Sequence, residues 1–104
     1  SGHWEGAVML LQQMAFFGVQ PDVVSFNTAI SACGRQNQRE VALDLLRQMP
    51  YLGLQPTVVS YGAAINACAR EGSWEEAVFL LDEMSGLGLE PNHIVFNAAL
   101  NATK

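Results

Sequence analysis

Apolar residues recur along this chain at spacings of three, four and seven, the interval that places them on one face of an α-helix. Ala7, Leu10, Leu11 and Met14 form the first stripe, over a helix predicted at 4–17. Phe26, Ala29, Ile30 and Cys33 form a second at 23–35, and Ala42, Leu45, Leu46 and Met49 a third from about 39. Tyr61, Ala64, Ile65 and Cys68 follow over 58–70, and Ala77, Leu80, Leu81 and Met84 over 74–86. A last helix after 92 is predicted to bury Phe96, Ala99 and Leu100. Breakers separate the stripes: Gly18, Gly53 and Gly88, each followed by a proline, Pro21, Pro56 and Pro91. The glycine closes a helix and the proline prevents its continuation. Asp22, Thr57 and Asn92 stand directly after those prolines, where a polar side chain caps the next helix. Gln36-Asn37 reads as a tight turn, and Ser73 with Glu76 as a capping box. Pro50 departs from the pattern, because proline inside a helix removes a hydrogen bond and clashes one turn back. The third helix should therefore kink or stop near Met49, whereas its counterparts at Ala15 and Ser85 continue.

The stripes share one ruler. Residues 23–57 align without a gap on residues 58–92, with 17 of 35 positions identical. Residues 2–22 match 72–92 at an offset of 70, and 93–104 restart the unit. A fixed period in this range marks a stacked repeat array. The organisation predicted is an all-α, α-solenoid domain over 1–104, with six helices in antiparallel pairs making about three repeats. It divides into a partial repeat at 1–22, repeats at 23–57 and 58–92, and a partial repeat at 93–104. Opening in the second half of a unit suggests membership of a longer array. Each pair is too small to hide its own apolar face, so neighbours complete the core.

Composition narrows the classes. Half the residues are apolar and 14% are charged, which supports a buried core and not disorder. No apolar run reaches the length of a membrane span, and the start, SGHWEG, carries neither a basic run nor a signal-like core. Cys33 and Cys68 occupy equivalent positions of successive units, so stacking holds them roughly 10 Å apart, too far for a disulfide. They read as buried free thiols, in keeping with a reducing compartment. No Cys/His cluster has zinc-ligand spacing, and His3 and His93 have no nucleophile or carboxylate constellation, so no metal, cofactor or catalytic role is expected. Glu75-Glu76 and Asp82-Glu83 read as solvated helix faces, and Trp4 and Trp74 as inter-repeat packing.

The net charge of −5 argues against indiscriminate nucleic-acid binding. Its distribution matters more. The second helices hold Glu5, Glu40, Asp44, Glu75, Glu76, Asp82 and Glu83 against Arg39 and Arg47, whereas the first helices and their turns hold Arg35, Arg70 and Lys104 against Glu71. Val24, Asn27, Ser31 and Arg35 are spaced three, four and four, away from the apolar stripe; Val59, Gly62, Asn66 and Arg70 repeat them, as do Ile94, Asn97 and Asn101. Stacking aligns these into a polar, mildly basic groove.

The openings VVSFNTAISACGR and VVSYGAAINACAR, the LL..M run and the GLxP ending closely resemble the pentatricopeptide repeat family over the whole chain. The resemblance implies single-stranded RNA binding in a chloroplast or mitochondrion, one nucleotide per unit, read by two or three side chains of the inner face. Base selection then falls to the fifth and last residues of each unit, Asn27 with Thr57 and Gly62 with Asn92, while Val24, Val59 and Ile94 pack on bases and Arg35 and Arg70 approach phosphates. Asn97 matches the fifth position of the last partial unit, and Asp22 closes the first. Gly62 departs from the pattern, since it has no side chain to reach a base. The implied partner is single-stranded RNA, bound weakly by so few units, with further repeats or protein partners at either end and no membrane insertion. The alternative is a protein-binding scaffold of an organellar complex whose groove no longer takes RNA. Capping alone also accounts for Asp22, Thr57 and Asn92, and a solvated face for Asn27 and Asn97.

Overall fold

The structure, a computed structural model, describes residues 3–104; Ser1 and Gly2, where the 70-residue match begins, lie outside the described residues. Among the described residues the order is α1 (His3–Phe16), α2 (Val23–Arg35), α3 (Arg39–Gln48), α4 (Val58–Arg70), α5 (Trp74–Gly86) and α6 (His93–Asn101), with no strand. A 3-10 turn at Pro50–Leu52 follows α3 directly, so the proline stops that helix, whereas α1 and α5 run on past the equivalent point. Gly18, Gly53 and Gly88 lie in the left-handed region (φ +75°, +77° and +83°), as the repeated helix endings require. Asn37 takes the same conformation (φ +58°) at the position where the next unit has Gly72.

The helices form two layers within 41 × 33 × 17 Å, the short dimension being two helices thick. α2, α4 and α6 pack side by side, while α1, α3 and α5 lie against them from one side. Small residues set the closer spacing of the first layer. A Cβ added to Gly34 on α2 would come within 3.1 Å of the Ala67 Cβ on α4. The second layer is splayed, leaving one cleft between α1 and α3 and an equivalent one between α3 and α5. A stack curves toward its tighter layer, so α2, α4 and α6 line the inner side.

The core runs along the interface of the layers through Phe26, Ile30, Leu46, Met49, Tyr61, Ile65, Leu80 and Met84. Burying a side chain of this size contributes about 1.5–3 kcal/mol. Cys33 and Cys68 are fully buried and unbridged, and burial pushes both thiols up from their ordinary pKa.

Several sequence expectations fail at particular residues. Leu10 is 63% exposed although its counterparts Leu45 and Leu80 are buried, because α1 has a first-layer helix on one side only. Phe96 and Leu100 are exposed for the matching reason: among the described residues α6 meets a second-layer helix, α5, on one side only, whereas Ala99 is buried as expected and Val95 is buried at the register of Ser60. Trp74 is half exposed, whereas Trp4 packs partly on the core. The capping box at Ser73 does not form. Its intended partner Glu76 instead takes the guanidinium of Arg39 from the preceding pair.

Candidate functional site

The inner face is built one first-layer helix at a time, and each begins on a cap. Asp22 accepts from the Ser25 backbone N–H at 2.8 Å, Thr57 from that of Ser60 at 3.4 Å, and Asn92 from that of Val95 at 3.0 Å. In the first two the serine oxygen returns to the cap's backbone N–H, completing a capping box. The hydrogen bonds from Ser25 hold the Asp22 carboxyl below its ordinary pKa. All three caps form, and they fix where each helix's second and fifth residues project.

Val24, Val59 and Ile94, the second residue of each helix, are 69%, 64% and 77% exposed. Burial of any of them elsewhere would be favourable, yet one aliphatic side chain per unit stands in water on the same layer. Asn27 is half-buried, Asn97 exposed, and Gly62 lies between them. Space exists at Gly62, where an added Cβ would meet only Val95 Cγ2, at 3.6 Å.

The arginines divide sharply by layer. On the second layer, Arg39 binds Glu71 and Glu76, and Arg47 binds Glu83, which also accepts from the Tyr61 hydroxyl at 2.5 Å. Burial works to raise the Glu83 pKa, but the hydrogen bonds from Arg47 and Tyr61 outweigh it and hold the carboxyl below its usual value. On the first layer, Arg35 and Arg70 are exposed and, among the described residues, neither meets a carboxylate. Arg35 donates only to Ser31 Oγ, at 2.9 Å, on its own helix. The second layer's two cations are thus spent on acids, while on the inner face both guanidinium groups stand clear of carboxylates.

The structure brings Val24, Asn27, Arg35, Val59, Gly62, Arg70, Ile94 and Asn97 onto one layer, with Asp22, Thr57 and Asn92 at its helix starts. Sequence reasoning missed Ser60, which joins Asn27 to Thr57; the Thr57-x-x-Ser60 spacing of a capping box was the available signal.

The fold and this face define a helical-repeat α-solenoid that presents one aliphatic, mildly basic surface. The sequence profile of the PPR repeat family matches residues 21–70 and 56–103, and the chain belongs to that family. PPR10 in complex with an 18-nt psaJ RNA element is similar at a TM-score of 0.88 and 27% identity, over 98% of this chain and 15% of that one. PPR10 from maize is similar at 0.72 and 32% identity, over 98% and 14% respectively. The PPR domain of Arabidopsis thaliana protein-only RNase P 1, in complex with tRNA, matches at 0.82 over 96% of this chain and 52% of that one; at 24% identity the likeness is one of fold. The chain therefore spans only a small part of the PPR10 structures it resembles. No curated protein sequence matches it.

Proposed function

We propose that this chain is a single-stranded RNA-binding segment that takes one nucleotide per unit along the face of α2, α4 and α6. The carrying observation is the repetition of an exposed aliphatic residue at the second position of all three helices, beside guanidinium groups left free of carboxylates. Aliphatic side chains pack on base faces, and Arg35 and Arg70 neutralise phosphates. Asn27 with Thr57 would select the base in one unit; Gly62 with Asn92 would select little in the next. The similarity to PPR10 solved with an 18-nt RNA supports this reading. The proposed role is binding without chemistry, and membership of the family supports an organellar setting.

Two phosphate contacts give weak binding with a modest salt dependence, so the segment works with more repeats or a partner. Fluorescence anisotropy with an unstructured RNA oligomer, at low and moderate salt, tests the proposal. Binding that weakens with salt and is lost on a hairpin RNA of the same length supports it. The scaffold reading draws on Gly62 and on the exposed Phe96 and Leu100 of α6. It prevails if no RNA binds at low salt while a protein partner co-purifies.

A further inference from the structure

Ser60 is the one fully buried polar side chain among the described core residues, and it sits between the two residues assigned to base selection. It is the third residue of α4. Its Oγ accepts from the backbone N–H of Thr57 at 3.0 Å and donates to Asn27 Oδ1, on the neighbouring α2, at 2.5 Å. A hydroxyl has a single proton, and here it is committed to Asn27. The asparagine amide has a carbonyl acceptor at one end and two N–H donors at the other, in one plane. With the carbonyl held against buried Ser60, the N–H2 group is the part of the amide left to meet a ligand.

The chain contains its own comparison. In the next unit Gly62 replaces Asn27 and Val95 replaces Ser60, and the valine methyl lies 3.6 Å from where a Cβ on Gly62 would be. The hydroxyl is present where there is an amide to hold, and an apolar side chain fills its place where there is none. Capping does not account for the link to Asn27, since Ser25 completes the same box at Asp22 with hydrogen bonds to that residue alone.

We propose that Ser60 is a specificity-determining residue of the preceding unit: by holding the Asn27 carbonyl it presents the amide as a hydrogen-bond donor to the base. The inference rests on the RNA reading above. A pinned amide rewards bases that offer acceptors at that point; a freely turning one satisfies donor or acceptor edges alike and discriminates less. Ser60 is a positioning residue and touches no base itself.

The test compares the wild-type chain with Ser60→Ala, Ser60→Thr and Asn27→Ala. Val95 shows that this register accepts an apolar residue, and Thr57 still caps Ser60→Ala, so that variant should fold. In the RNA-free 15N-labelled chain, relaxation of the Asn27 side-chain amide should report an ordered group that becomes mobile in Ser60→Ala and is ordered again in Ser60→Thr. Affinities for oligo-U, oligo-C and oligo-A should spread roughly fivefold in the wild type, as for one added hydrogen bond. The spread should fall in Ser60→Ala to that of Asn27→Ala, with an unchanged salt slope, and return in Ser60→Thr. An amide equally ordered in Ser60→Ala, or an undiminished spread, overturns the proposal. A wild-type chain that binds none of the three oligomers overturns the RNA reading and this role with it; that failure is recognised because the amide still loosens in Ser60→Ala.

Discussion

Arg39 holds Glu71 with two hydrogen bonds, from its backbone N–H to Oε2 at 3.0 Å and from Nε to Oε1 at 3.2 Å. Glu71 directly follows Arg70, and this contact draws its carboxylate off the inner face and onto the second layer. The same guanidinium takes Glu76. One arginine on the far layer thus clears an acid from beside a phosphate-binding candidate. At the equivalent positions of the preceding unit stand Trp4, Gln36 and Val41, so cation and acids enter together.

Replacing Arg39 by glutamine should therefore act at a distance. Two ion-pair hydrogen bonds between partly exposed groups, to Glu71 and Glu76, are lost, costing about 1–2 kcal/mol, while the backbone N–H of residue 39 remains. Glu71, then held by the backbone N–H alone and no longer neutralised, can compete with RNA phosphate for Arg70, and affinity should fall roughly threefold at low salt, with the difference vanishing at high salt. Thermal unfolding and RNA titration of Arg39→Gln, set against Arg39→Gln with Glu71→Gln, check it: the second change should restore affinity and not stability.

Gly62 leaves a vacancy that its neighbours do not close. Gly62→Asn should be tolerated, because the new Cβ makes only an ordinary contact with Val95. Alone it should raise affinity by two- to threefold, about the size of one exposed hydrogen bond, and add little base preference. Combined with Val95→Ser, which supplies a hydroxyl at the register of Ser60, it should create preference at a second nucleotide. Competition between oligo-U, oligo-C and oligo-A reads the difference.

Acid should loosen the joint between α3 and α5. The folded-state pKa of Glu83 lies below its usual 4.5. A carboxyl lowered in this way contributes stability that is fully present above its unfolded value and is lost as pH falls through the folded value. Stability should therefore be flat above about pH 5 and drop below 4.5, and Glu83→Gln should flatten that drop. The cleft between α1 and α3 has Gln12, Phe26 and Gln48 where this one has Arg47, Tyr61 and Glu83. The triple change Arg47→Gln, Tyr61→Phe, Glu83→Gln should accordingly cost less than removing Glu83 alone by Glu83→Ala, which leaves the buried Tyr61 hydroxyl without an acceptor. Urea unfolding at pH 7 measures both.

The spacing of α2 and α4 depends on Gly34, whose missing Cβ would lie 3.1 Å from that of Ala67. Gly34→Leu should force the two helices apart and destabilise by about 1–3 kcal/mol. By tilting successive inner helices it should also weaken RNA binding more than stability alone explains, measured well below the melting temperature.

Much of the fold was legible because each unit repeats its own punctuation. The αL glycines, the prolines and the caps at Asp22, Thr57 and Asn92 act within a few residues of chain, so their outcome follows from local chemistry. The misjudged residues are those settled by what lies across a layer. Leu10, Phe96 and Leu100 carry the core pattern, but burial needs a neighbour on the right side. Glu76 fits a capping box, but a guanidinium 37 residues away wins it. The face of Val24, Asn27 and Arg35 could be read from spacing; the clamp of Ser60 on Asn27 could not, because it joins different units and looks locally like capping.

The central claim is that Arg35 and Arg70 meet RNA phosphates on the inner face, and its most direct measurement is the salt dependence of RNA affinity. For the wild-type chain, the logarithm of the binding constant should fall against the logarithm of salt with a slope of roughly −1.5, as two phosphate contacts on a single strand require. Arg35→Glu with Arg70→Glu should abolish binding at low salt and leave no slope. Binding of equal strength and equal slope in that double variant would contradict the account.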